Sequence, residues 1–250
     1  MKIKFLLYFL KYKDAAAEEL EREGTMSQGF TIISALVVDV LLLVMLRRFA
    51  SRSDWRTGLI GLTAIAAATA VLGKSGILGD FSQVPPPMGF VLVGLFVVAA
   101  AATLSRWGKR VSDAVPLRWL IGAQGFRILP ETLLALAWQD GLAPVQMTFH
   151  GRNGDLISAI LALVLAFLWP RIERARKTKV AAWTFTIIGG VLLANILSIA
   201  VLSMPTPFRV FTDEPANIFV ATFPYIWLPG VHVFAALILH ALTVRKLVEK

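Results

Sequence analysis

The chain has 250 residues, 57% of them hydrophobic and only 16% charged, with a mean hydropathy of +0.70. An average soluble domain is roughly 45–50% apolar, so this composition excludes an ordinary soluble fold and reads as membrane. The formal net charge of +9 would point to nucleic acid in a soluble protein. Here it does not, because where the basic residues fall matters more than their sum. The absence of cysteine removes disulfides, thiolate metal sites, iron–sulfur clusters and c-type haem attachment.

Residues 1–25, MKIKFLLYFLKYKDAAAEELEREGT, stand apart from the rest. The apolar core FLLYFL is too short to span a bilayer or to serve as an ordinary signal-peptide core, and five basic residues cancel five acidic ones. Two readings stay open: an amphipathic interfacial helix followed by a polar, Glu-rich one, or an upstream extension ahead of a start at Met26.

Residues 26–250 read as one all-α integral membrane domain. Its apolar blocks are about 17–25 residues long, the length a helix needs to cross roughly 30 Å of hydrocarbon. Seven spans are predicted, near Phe30–Leu46, Trp55–Leu72, Met88–Leu104, Leu117–Trp138, Asp155–Trp169, Val180–Met204 and Ile226–Thr243. Sixteen basic residues fall on one side of these spans, including Arg47, Arg48, Arg110, Arg118, Arg171, Arg174, Arg245 and Lys246, against Lys74, Arg152 and Arg209 on the other. The positive-inside rule therefore puts the C-terminus in the cytoplasm and the start of the first span outside. All seven tryptophans lie near span ends, where indole favours the headgroup boundary. No internal repeat is visible, and an odd number of spans argues against a simple inverted-repeat transporter. The opposite loops are rich in proline: QVPPPMGF precedes the third span, and the longest, MPTPFRVFTDEPANIFVATFPYIWLPG, precedes the seventh. Such a loop is either a lid or only a connection.

The fourth span carries Gln124, Arg127 and Glu131 inside an apolar run. At 100° per residue they fall within a sector of about 60°, so they share one face. A charged face costs at least about 2.5–3.5 kcal/mol toward lipid, so it must look at protein or a wet cavity. Pro130 lacks an amide hydrogen and clashes with the carbonyl of Phe126, which predicts a kink there. Counting residues from the basic rim at about 1.5 Å each gives three levels: Asp39 with Arg127, Glu131 with His232, and Asn195 with Asp155.

Each candidate also has a plainer reading. The Asp39, Arg127 and Glu131 charges serve equally as an ion-pair network that only holds helices together. Asn153 and Asp155 read as a turn and the N-cap of the fifth helix. Gly189 and Gly190 read as a close-packing site. His232 and His240 are about 80° apart around their helix and about 12 Å along it, so together they form no metal site.

The stretches QGFRILPETLLALAWQDGLAPVQMTFHGRNGDLIS and FPYIWLPGVHVFAALILHALTVRKL resemble a family of uncharacterised bacterial multi-pass membrane proteins. The resemblance covers roughly the C-terminal half. It rests on a Gln-x-x-Arg-x-x-x-Glu helix (Gln124, Arg127, Glu131), on a loop with Pro144, Met147, Thr148, Phe149, Gly151, Arg152, Asn153 and Asp155, and on a closing helix with Pro224, Trp227, Pro229 and His240. His150 and His232 lie outside that pattern. The resemblance implies a bacterial inner-membrane protein with a site at these residues, but no reaction.

A retinal pigment is excluded because the last span has no lysine in its interior, and a haem held by histidines of two helices is poorly supplied. No Gly-x-Ser-x-Gly or His-Glu-x-x-His motif is present, so no catalytic or metal residue is assigned and any other cofactor stays open. Three functions remain. The first is binding or translocation of a small solute, lipid-like molecule or proton along Asp39, Gln124, Arg127, Glu131, Asn153, Asp155, Asn195 and His240. The second is an accessory subunit of a larger membrane assembly, with partner subunits and the lipid bilayer as its contacts. The third is a lipid-modifying enzyme using Glu131 as acid or base, with Asn153 and Asp155 orienting a headgroup.

Overall fold

A computed structural model describes residues 26–249; the extension read for residues 1–25 lies outside the described residues. Helix α1 runs Met26–Phe49, α2 Arg52–Lys74, α3 Pro87–Leu104 and the short α4 Arg106–Ala114. The fourth span is built in three pieces: α5 (Leu117–Gly122), a 3-10 segment (Ala123–Arg127) and α6 (Ile128–Gln139). Then come α7 (Leu156–Arg174) and α8 (Thr178–Leu202); the seventh span opens with a π-helical turn (Leu228–Val233) and continues as α9 (Phe234–Val248). The described residues form no strand.

Seven of these stretches are long and apolar enough to cross a membrane. Most run a few residues beyond the sequence estimate, because the hydrogen-bonded turns continue into the basic rim. Arg47 and Arg48, Arg171 and Arg174, and Arg245 and Lys246 sit in last turns, where positive charge meets the exposed carbonyl end of the helix dipole. Starts are set locally. Ser51 Oγ accepts from the amide of Asp54 at 3.0 Å, Ser105 Oγ from that of Gly108 at 3.1 Å, and Pro87 opens α3, where a missing N–H costs nothing.

The fourth and seventh spans are the centre. In each, 67% of the most apolar stretch is buried, against 17–39% for the other five. Glycines let the fifth span close on the fourth: a Cβ at Gly125 would lie 2.4 Å from Leu163, and one at Gly122 2.8 Å from Ala166. At the basic end the seventh span is laced to its neighbours. The Lys246 ammonium donates to the carbonyls of Asp113 at 3.1 Å and Val115 at 2.8 Å, and to that of Ser112, so it caps α4. Arg245 Nη1 donates to the carbonyls of Thr103 and Ser105. Arg110 grips Asp54 Oδ1 through two nitrogens at 2.9 and 2.7 Å.

At the opposite end, residues 203–227 fold down onto the bundle. The amides of Val210 and Phe211 bond back to the carbonyl of Leu202, Ala216, Asn217, Val220 and Tyr225 are buried, and Tyr225 Oη lies 2.7 Å from Ser27 Oγ. The long loop is a packed cover.

Candidate functional site

Gln124, Arg127 and Glu131 are 0%, 1% and 2% exposed, so the shared face looks inward. Gln124 and Arg127 stand on the 3-10 segment, which ends three residues before Pro130, and Glu131 stands in the first turn of α6. The break expected at Pro130 is therefore spread over the preceding turn, where the Phe126 carbonyl has no proline N–H to receive. Across the bundle, His232 sits on the π-helical turn that begins with Leu228 and Pro229. Both central spans thus lose regular helix at the same site, and irregular backbone at membrane depth is tolerated where protein or a cavity surrounds it.

The partner of Arg127 is Asp155. Arg127 Nε donates to Asp155 Oδ2 at 2.8 Å and Nη2 to Oδ1, a two-bond clamp. Nη1 and Nη2 reach the Gly189 carbonyl at 3.3 and 3.2 Å, and Nη1 meets His240 Nε2 at 3.0 Å. A guanidinium has five N–H donors and no acceptor, and these contacts use all five. Since Arg127 must donate, His240 accepts on Nε2 and carries its proton on Nδ1, an atom with no hydrogen-bond partner among the described residues. Phe185 stacks on the imidazole with ring centres 5.6 Å apart.

Gly189 makes this arrangement possible: a Cβ there would lie 3.0 Å from His240 Cε1 and 3.3 Å from Arg127 Nη1, whereas one at Gly190 would meet nothing within 4 Å. The close-packing reading of the pair thus holds for Gly189, and what packs against it is the arginine and histidine.

Asp155 and Asn153 reach this depth because the loop after α6 turns back into the bundle. Gly151 permits the reversal, since a Cβ there would lie 2.3 Å from the Val145 carbonyl. Asn153 Oδ1 accepts from the Asp155 amide at 3.0 Å, and its Nδ2 donates to Glu131 Oε1 at 2.7 Å and to the Met147 carbonyl at 3.0 Å. Asp155 does stand at the N-cap position of α7, but its side chain makes no capping bond. It accepts from Arg127 and, at 3.1 Å, from Ser158 Oγ. The turn reading of Asn153 is right, and the capping reading of Asp155 is replaced by the ion pair.

The three predicted levels are not what forms. Asp39 is half-buried on α1 and has no hydrogen bond or ion pair among the described residues. Asn195 is exposed and donates to the Arg152 carbonyl at 3.0 Å. His232 bonds to the Trp227 carbonyl and to Ser34 Oγ, each at 3.0 Å, rather than to Glu131. Depth counting assumed that every polar group rides a straight span. The re-entrant loop supplies Asp155 to Arg127 directly and leaves Asp39 outside the network.

Glu131 and His232 do share something: both line a cavity of about 60 Å³ between the fourth, sixth and seventh spans, room for about two waters. Its wall is mainly apolar, with Leu134, Leu193, Ile196 and Met204 among the lining residues, and Asn217 of the cover closes one side. Glu131 Oε2 is buried and has no hydrogen-bond partner among the described residues; neither have Gln124 Oε1 and Nε2, Gln146 Oε1 or Asn217 Oδ1. Sequence reading missed Ser34, Gln146 and Asn217. For Ser34 a signal existed, because Ser27, Thr31 and Ser34 form a polar stripe on the buried face of α1. For the two loop amides there was none, since nothing local says that a loop folds inward.

A family profile described as Domain of unknown function (DUF8737) matches residues 85–248. The chain belongs to this family. The DUF8737 region takes in α3 to α9, and so contains Arg127, Glu131, Asn153, Asp155, Gly189, His232 and His240, while Ser34 and Asp39 precede it. No curated protein and no solved structure matches the chain.

Proposed function

We propose that this is a multi-pass protein of the bacterial inner membrane, with its basic ends in the cytoplasm, which binds a small solute in the cavity beside Glu131. The observation that carries the proposal is Glu131 itself. One carboxylate oxygen is held by Asn153, while the other is buried, without a partner among the described residues, on a residue that lines an apolar cavity. Leaving a buried acceptor unsatisfied costs about 1–3 kcal/mol, a penalty that a ligand's donor removes. The matching ligand has a compact apolar body and one donor or positive charge, as a small alkylamine has. Arg127 is spent inside the protein and so positions the site rather than recognising the solute. The cover contributes Asn217 and Val220 to the wall, which favours the outer side as the route of exchange.

A headgroup-orienting role for Asn153 and Asp155 finds less support, because their side chains are engaged by Glu131, Met147, Arg127 and Ser158. The test is thermal unfolding of the detergent-purified protein against a series of n-alkylamines of increasing length. The expected result is stabilisation that rises with chain length to a limit and disappears in Glu131→Gln. The reading is wrong if no amine stabilises the wild type more than the variant.

A further inference from the structure

We propose a second binding site, for one acyl chain of an anionic phospholipid, in a crevice between α2 and α3 near the basic end. The two helices make no extended contact with each other; α2 packs on α1, and α3 on α9. Between them lies a space of about 160 Å³, floored by Leu42 and Met45 of α1 and by Phe234 and Leu239 of α9. Its rim includes Thr57, Gly61 and Val98, all exposed, so it opens sideways, toward lipid in the orientation proposed above. Gly58 draws α2 onto α1, because a Cβ there would lie 2.4 Å from Leu46 Cδ1, and the opening is left on the α3 side. The Trp107 ring also lines the crevice, held by its N–H donating to the Asp54 carbonyl at 3.0 Å.

Charge at the mouth selects the occupant. Arg110 is paired with Asp54, Lys109 with Asp113 and Glu249, and Arg245 with Glu249. Arg52, Arg56 and Arg106 are exposed and have no ion pair among the described residues, and the last two directly precede Thr57 and Trp107 of the crevice. An apolar slot below uncompensated arginines is complementary to a fatty chain below a phosphate. The cytoplasmic leaflet supplies such molecules, and its anionic headgroups attract basic residues at the surface.

Native mass spectrometry of the detergent-purified protein with equimolar phosphatidylglycerol and phosphatidylcholine tests this. The wild type is expected to retain one phosphatidylglycerol in preference. Arg56→Gln with Arg106→Gln should reduce that preference by on the order of tenfold or more. Gly61→Trp, at a position where an added Cβ meets nothing within 4 Å, should abolish retention of both lipids. Val98→Trp on the facing wall serves if the first variant does not fold, each variant being checked by its melting temperature. The proposal is overturned if folded blocking variants keep the lipid, if the arginine variant keeps the preference, or if blocking splits a dimer without changing lipid retention, which would make the crevice an interface between copies.

Discussion

Arg127 and Asp155 are 28 residues apart in the chain and meet as a buried two-bond ion pair, 1% and 5% exposed. One comes from a span and the other from a loop, so the pair pins the re-entrant segment into the bundle. Breaking a buried pair strands the surviving charge at a cost of about 3–5 kcal/mol, while replacing both partners with apolar groups is often close to neutral. Arg127→Met should therefore lower stability by about that amount, and Arg127→Met with Asp155→Leu should recover most of the loss. Unfolding of the single and double variants in detergent measures it. Strictly additive losses would mean that the two side chains do not depend on each other.

Gly189 and Gly190 provide an internal control. Alanine at Gly190 should be neutral or stabilising by up to about 1 kcal/mol, from helix propensity. Alanine at Gly189 pushes on His240 and Arg127 and should destabilise. The comparison is of two melting temperatures. Equal shifts would show that the histidine and arginine yield without cost.

Glu131 should also be chemically distinct. Dicyclohexylcarbodiimide modifies carboxyl groups in apolar sites, and Glu131 offers there an oxygen with no partner among the described residues, while both Asp155 oxygens accept from Arg127. Peptide mass spectrometry should find label on Glu131, little on Asp155, and protection of Glu131 by a bound alkylamine. Preferential labelling of Asp155 would contradict the arrangement.

The C-terminal clasp gives a pH dependence. Burial works against the charge on Glu249, but hydrogen bonds from Lys109 and Arg245 outweigh it and hold the carboxyl below its ordinary 4.5. Hydrogen bonds donated to the carboxylates of Asp113 and Glu249 raise the Lys109 ammonium above its ordinary 10.5. A depressed acid contributes stability that is present above its unfolded value and lost as pH falls through the folded one. A raised base contributes stability that is present below its unfolded value and lost as pH rises through the folded one. The clasp should thus persist across neutral pH and loosen below about 4.5. Hydrogen exchange of residues 245–249 between pH 3 and 7 reads this, corrected for intrinsic rates. Glu249→Gln should give low protection at every pH, and an unchanged profile in that variant would exclude the clasp as the cause.

The extent of the spans was legible because hydrocarbon thickness acts on every residue of a helix, and that constraint is written locally in the apolar runs. The inward face of Gln124, Arg127 and Glu131 was legible for a similar reason: helical periodicity fixes it without knowledge of the neighbours. The pairing was not. Asp39 is a single carboxylate inside an apolar run and Asp155 one at the edge of another, and the choice between them depends on a reversal at Gly151 and on the depth to which Asn153 is drawn by Glu131. Those are long-range packing outcomes. The same holds for Asn217, which reaches the cavity only because the whole segment before the seventh span folds over it.

The seventh span lies at the centre of the bundle and yet leaves the ribosome after the other six. Until residues 228–248 arrive, the carbonyls of Ser112, Asp113 and Val115 lack the lysine that caps them, and Arg127 lacks the imidazole of His240. The first six spans are therefore made with only one of the two central helices in place. A chain truncated before Leu228 should be recognised by membrane proteases as immature rather than persist as a smaller version of the protein.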